Sequence, residues 1–199
     1  MTIKKIIKER RTIRKYKPDK VPRKMIKEAL DAGRWAPSMH NMQPWKFIVV
    51  EGPTKKKLAD ALNLRKKNEP LVVRLVLKEG TRIIENAPTV ILVYRDSVFK
   101  KRKSHTYNNL GTMGGKILGT MRVFETQSIA AAIQNILLQF HAKGVGAAWL
   151  GAALFRERAI NKLIGTEDEL MALLTVGFPD ETGLRSKRKP LLKILTFKE

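Results

Sequence analysis

The chain contains no cysteine, which excludes disulfides, thiolate nucleophiles and cysteine-ligated metals. It also lacks any run of about 18 uninterrupted apolar residues, the length that a membrane-crossing helix needs, so no membrane partner is expected. The lysines near the N-terminus are not followed by an apolar run of about 7–15 residues, so a secretory leader is not expected either, and the expected location is cytoplasmic. His40, His105 and His141 stand far apart and form no HExxH pair, which leaves no metal site to predict. A Gly-x-Ser-x-Gly nucleophile elbow is missing, as is the GxGxxG of dinucleotide folds. The glycine-rich piece Gly111 to Lys116 departs from phosphate-loop spacing and puts Ile117 where the Mg²⁺-binding hydroxyl belongs. Aromatic residues make up only 7 % of the chain. Few are interleaved with the basic residues, as a base-stacking surface requires, so no specific nucleic-acid partner is expected.

What is present is a hydrophobic fraction of 43 % over 199 residues, enough for one cored domain, 1–199. Forty Lys and Arg against 18 Asp and Glu leave a formal charge of +22. Such a balance attracts polyanions and phosphorylated cofactors. It is equally the composition of a lysine-rich surface, and the basic residues are dispersed along the chain.

Ile3, Ile6 and Ile7 have helical spacing, ending near Arg11. A second helix follows Pro22 with Met25, Ile26, Ala29, Leu30 and Gly33 on one face, and Pro37 stops it. Lys46 to Val50 reads as a strand. Helices are predicted around Leu58 to Leu62 and from Leu71, with a break at Gly80. Thr89 to Tyr94 is mostly β-branched and reads as a buried central strand. Residues 96–126 read as a lid or excursion. Ser128 is a candidate N-cap for a helix carrying Ile129, Ile133, Ile136, Leu137 and Phe140. Strands at 147–150, 170–176 and 191–197 and a helix at 156–164 complete an interleaved chain. The class is therefore α/β or α+β.

Two segments carry candidate chemistry. Arg10-Arg11-Thr12-Ile13-Arg14 concentrates guanidinium groups and a hydroxyl. Alone it suits a solvated helix end; functionally it suits a phosphate, whose oxygens match the arginine fork. The loop Pro37 to Gln43 offers Ser38, Asn41 and Gln43 between rigid elements, and amide side chains can read a heteroaromatic edge with mixed donors and acceptors. His141 follows an apolar helix face and reads as packing or surface.

Taken in order, these pieces resemble the nitroreductase family. The resemblance rests on Arg10 to Arg14, Trp35-Ala36-Pro37-Ser38 with Asn41 and Gln43-Pro44-Trp45, and Ala87-Pro88 before a strand. Further along it rests on Gln134-Asn135-Ile136-Leu137-Leu138, Gly144-Val145-Gly146 with Trp149-Leu150-Gly151, and Val176-Gly177-Phe178-Pro179. The resemblance implies an α+β fold with a central, mostly antiparallel sheet flanked by helices, and an intertwined homodimer with FMN at its interface. It implies that Arg10, Arg11, Thr12 and Arg14 contact the cofactor's phosphate, ribityl chain and pyrimidine edge. Pro37, Ser38, Met39 and Asn41 would approach the partner's FMN. Leu150 and Gly151 would lie near flavin N5, Lys187 and Arg188 would grip the phosphate, and the 191–197 segment would reach the other subunit. The implied activity is ping-pong hydride transfer from NADH or NADPH through N5 to a small-molecule electron acceptor, nitroaromatic, quinone or similar. No protein nucleophile takes part, and Arg14 gives electrostatic support. The alternatives are a flavin-fragmenting or dehalogenating relative, or a non-enzymatic FMN- or nucleic-acid-binding protein.

Overall fold

The computed structural model describes residues 2–64, 68–96 and 111–198. At its centre four strands, β1 (Trp45–Val50), β2 (Thr89–Arg95), β3 (Gly146–Leu150) and β4 (Glu169–Gly177), lie in the order β1-β2-β4-β3. Every neighbouring pair is antiparallel. Six α-helices surround them among the described residues: α1 (Ile3–Glu9), α2 (Arg23–Arg34), α3 (Gly52–Asn63), α4 (Leu71–Asn86), α5 (Gly111–Ala142) and α6 (Glu157–Ile164). The expected α+β class with an antiparallel sheet flanked by helices is what is found.

The two-residue period of a strand sends alternate side chains to opposite faces. Val90, Leu92 and Tyr94 of β2 join one apolar cluster, with Leu58 and Leu62 of α3, Ile84 of α4 and Ile160 of α6. Ile91 and Val93 join the other, with Ile26 and Ala29 of α2 and Ile129, Ile133, Ile136 and Phe140 of α5. The pairing of β2 with β4 shifts between Val93 and Tyr94, so that Val93 faces Ala172 while Tyr94 faces Leu170. The extra residue, Met171, inverts the alternation. Leu170 and Ala172 thus enter different clusters although both numbers are even.

Several sequence expectations need correction. α4 runs unbroken through Gly80. A Cβ there would lie 3.0 Å from the Ala152 side chain and 3.1 Å from that of Leu62, so the glycine serves close packing rather than a break. Ser128 is not an N-cap: α5 begins at Gly111, and the Ser128 hydroxyl donates to the Phe124 carbonyl one turn back, 2.7 Å away. The first helix stops at Glu9. Arg156 lies in a short 3₁₀ turn before α6, and its buried guanidinium donates to the Leu64 carbonyl and pairs with Glu69 at 2.7 Å. Residues 191–197 form no strand; Leu191–Lys193 is a single 3₁₀ turn. Of the segment expected as a lid, 97–110 lie outside the described residues and 111–126 are the first half of α5. Four consecutive basic residues, Lys100 to Lys103, also lie outside them.

Candidate functional site

After α1 the chain runs extended beside the start of β3. The Ile13 amide donates to the Ala147 carbonyl at 3.1 Å, and Thr12 bridges Ala147 in parallel. Ile13 fits only because residue 146 is glycine: a Cβ there would lie 2.9 Å from the Ile13 Cβ. The C-terminal segment returns over the same stretch. Tyr16 bridges Pro179, and the Glu181 carboxylate accepts from the Arg14 amide at 2.5 Å and the Lys15 amide at 3.2 Å. Gly183, at φ +71°, then passes so close to Arg11 that a Cβ would sit 2.6 Å from the Arg11 Cβ.

This crossing brings arginines distant in sequence together. Arg10 is held below its ordinary pKa by partial burial first, then by the charges of Arg11 and Arg188. Arg10 and Arg11 line a cleft of ≈ 270 Å³ floored by Ile13, Leu137 and Gly144 to Ala147 and closed by Glu181 and Thr182. One Arg11 nitrogen donates to the carbonyls of Lys8 and Arg10 at 2.7 and 2.8 Å, which fixes its fork. Arg188 donates to the Ser186 hydroxyl at 3.0 Å and, like Lys187, is exposed. Cations drawn together against burial and mutual repulsion make a place of positive potential suited to an anion.

Arg14 departs from the cleft. Its side chain is exposed and faces α4, where the Glu79 carboxyl is held below its ordinary range by the Arg82 hydrogen bond first, with Arg14 adding a smaller effect. At the far end of β3 Leu150 is buried and Gly151 exposed. A Cβ at Gly151 would meet nothing within 4 Å, so open space lies over that backbone. From Ala147 to Gly151 the strand spans about 13 Å.

The loop after α2 is a separate structure. His40, Asn41 and Gln43 all have left-handed backbone, at φ 47°, 54° and 49°. Three such non-glycine residues within four positions are strained, and strain of this kind concentrates at functional sites. The Ser38 hydroxyl accepts from the Gln43 amide at 3.1 Å, and the Gln43 side chain donates to the Asn41 side chain at 3.2 Å. The Met39 amide donates to the Ser128 hydroxyl at 3.4 Å, and Pro37, Ser38 and Met39 line a shallow recess against Phe124 and Ser128 of α5.

Within one chain, therefore, the arginine cleft and the loop are apart. The cleft lies against His141 on α5 and the loop against Ser128. Thirteen helical residues at 1.5 Å each separate them by about 20 Å. Arg10, Arg11, Thr12 and Arg188 are drawn together; Pro37, Ser38, Met39 and Asn41 are not part of that group. Sequence reasoning missed the wall residues His141 and Glu181. His141 was read as packing or surface, yet it lines the cleft and its Nε2 is shielded without a hydrogen-bond partner. Neither residue carries a local signal, because the arginines with which it shares the cleft are more than a hundred positions away in sequence. Among the described residues no cluster of His, Asp or Glu is arranged to hold a metal, and no helix is long and apolar enough to cross a membrane.

The model of the Nitroreductase family matches residues 7–178. An NADH dehydrogenase of Thermus thermophilus is 30 % identical over 207 residues, covering 96 % of this chain and 93 % of the relative. An iodotyrosine deiodinase of Thermotoga neapolitana is 28 % identical over 199 residues, covering 94 % of each. A Desulfovibrio desulfuricans protein solved in complex with FMN superposes with a TM-score of 0.75 at 26 % identity, covering 100 % of this chain and 98 % of that one.

Proposed function

The chain belongs to the nitroreductase family, and from that premise we propose that it is an FMN-dependent NAD(P)H oxidoreductase acting as a homodimer on small electron-poor acceptors, nitroaromatics or quinones. The observation that carries this reading is that Arg10 and Arg11 line one cleft while Arg188, from the far end of the chain, stands near enough to act on Arg10. The residues present fit a mononucleotide. Guanidinium groups gathered without enough carboxylate to neutralise them suit a phosphate, and the open space over Gly151 admits a planar ring close to backbone. The relative solved with FMN and the relative named as an NADH dehydrogenase support the cofactor and the donor.

FMN, when bound, supplies the ring that accepts hydride from NADH or NADPH and passes it to the acceptor. The chain's own residues bind and orient. Arg10, Arg11, Thr12, Lys187 and Arg188 hold the phosphate and ribityl end. Leu150 and Gly151 offer an uncluttered backbone to the ring. Arg14 provides positive charge where negative charge develops on reduction.

The loop from Pro37 to Asn41 serves the site of the other subunit, since about 20 Å of α5 separates it from the cleft of its own. The exposed tail, with Leu191, Leu192, Ile194 and Phe197 in solvent, supplies apolar surface for that dimer contact.

The test is anaerobic reduction of the FMN-reconstituted protein by each nicotinamide, followed by reoxidation with a panel of acceptors. The flavin colour is expected to bleach with NADH or NADPH and return with nitroaromatics or quinones. Return only with a halogenated phenol would favour the dehalogenating alternative, to which the deiodinase relative lends weight. Flavin breakdown products under oxygen would favour the fragmenting one. Protein that takes up no FMN would overturn the reading. Arg14→Gln is expected to slow flavin reduction at least about tenfold, the size of one lost electrostatic contact, while FMN affinity changes less. Equal losses would remove Arg14 from that role.

A further inference from the structure

We infer that the exposed side of the first turns of α4 docks on an anionic lipid surface, its leucines and valines entering the bilayer interface while Arg74 and Lys78 meet the headgroups. This contact is independent of the proposed FMN site. Residues 71–77 are apolar except for Arg74, so these two turns carry more apolar side chains than one buried face can use. The buried side of the helix is supplied by Leu77, Gly80, Thr81, Ile83 and Ile84. Leu71, Val72, Leu75 and Val76 remain in solvent, between 42 and 66 % exposed, and Leu64 just after α3 is exposed in the same range. Positions 71 and 75, and 72 and 76, are each one turn apart, so the four side chains form one patch. Large apolar side chains exposed together mark a contact site, whereas scattered ones do not.

Charge identifies the occupant. Arg74 and Lys78 are exposed, lie one turn apart and line one recess with Leu64. The carboxylates nearest to them in sequence are taken: Glu69 pairs with the buried Arg156 at 2.7 Å, and Glu79 with Arg82 at 2.7 Å. Among the described residues neither Arg74 nor Lys78 has an ion-pair partner. In sequence, positions 64–78 hold five basic residues and one acidic one, within a chain of formal charge +22. A second copy laid face to face would set these cations against their own duplicates, at a cost. A nucleic acid would satisfy the cations but leave four aliphatic side chains without a partner, and the patch has no aromatic ring on which bases stack. An anionic bilayer meets both needs. Apolar side chains on a basic amphipathic helix sink to the boundary of headgroups and acyl chains, and each Lys or Arg beside acidic headgroups adds attraction. Among the described residues no helix is long and apolar enough to cross a membrane, but a helix that lies on a bilayer does not have to span it.

The experiment uses the full-length protein. The chain has no cysteine, so Leu75→Cys carries an environment-sensitive fluorophore at one defined place. Vesicles of phosphatidylcholine, pure or with about one-third phosphatidylserine, are added at about 150 mM salt, which screens long-range attraction between exposed charges. On the anionic vesicles the label is expected to shift to the blue, and to be quenched by lipids brominated on their acyl chains. In co-sedimentation, Leu71→Ser with Leu75→Ser changes no charge. It is expected to weaken binding to the anionic vesicles at least about tenfold, from the apolar side chains no longer buried, with far-UV circular dichroism unchanged. Arg74→Gln with Lys78→Gln is expected to weaken it by about tenfold as well. Binding that the serine variant leaves intact, with the label unmoved, is attraction by the chain's total charge and overturns the inference. Failure to bind the anionic vesicles overturns it too. A label already shifted to the blue without lipid shows the face covered by its own chain, or by a second copy if the shift grows with protein concentration, and either result overturns the inference. None of these outcomes touches the FMN reading, which flavin reduction tests separately.

Discussion

The central strand β2 and the C-terminal tail are written in the same apolar residues and meet opposite fates. Thr89 to Tyr94 are fully buried. Leu191, Leu192, Ile194 and Phe197 stand in solvent, Leu192 at 87 % and Phe197 at 83 % of full exposure. The difference is neighbours. β2 lies between β1 and β4 with helices over both faces, so its alternating side chains enter two clusters of its own chain. The tail leaves the sheet after crossing Arg11 and finds no matching surface among the described residues of its own chain. An apolar pattern states that a segment needs cover, not which chain provides it.

Substitutions can break this contrast. The largest effect is expected in β2: Leu92→Ala should cost about 3 kcal/mol of unfolding free energy, measured by urea denaturation, at low and high protein concentration alike. In the tail, Leu192→Ser with Phe197→Ser should leave far-UV circular dichroism intact but weaken self-association by about 2 kcal/mol, from the apolar area no longer covered, as read by sedimentation. A tail variant that unfolds the chain without changing self-association would reverse the comparison. Tyr94→Phe should be neutral or stabilising by about 1 kcal/mol, because the fully buried Tyr94 hydroxyl has no hydrogen-bond partner. Burial, with Glu157 and Asp168 contributing, pushes that phenol up to about 12, so the difference between wild type and Tyr94→Phe should contain no phenolate absorbance below pH 10.

The smallest effect concerns His141 in the free protein. Its folded pKa lies below the ordinary value, so the unfolded chain binds the extra proton first. Stability contributed by the neutral ring is then present above about pH 6.5 and is lost as the pH falls below it. His141→Gln should flatten that acid limb in thermal melts.

Much of this scaffold is legible before any coordinates. The β-branched run at 89–94, the apolar face of residues 25–33 and the period of 129–140 each state their element, because burial on one face imposes the period directly. The errors fall where one residue type serves two purposes. Gly80 looks like a break, but in a helix pressed on Ala152 it is the residue without a Cβ to clash. Ser128 looks like a cap, but its hydroxyl is satisfied inside the helix by the Phe124 carbonyl. The tail alternates like a strand and lacks only an edge to pair with.

The arginine motif is visible as a charge cluster, and the resemblance supplies Arg188 as its partner, but the cleft walls Glu181 and His141 carry no local signal.

By itself the amino-acid order determined where the strands of the sheet and most of the helices around it form, and that ten to fourteen is a cationic stretch. Those are local matters of period, branching and charge. Only the tertiary structure decided that Gly146 and Gly183 would let two distant segments close over that stretch. The fold alone also set the loop at Ser38 about 20 Å away along α5. The reason is that proximity in a fold is set by sheet order and helix packing across the whole chain, quantities that no residue encodes in its immediate neighbours.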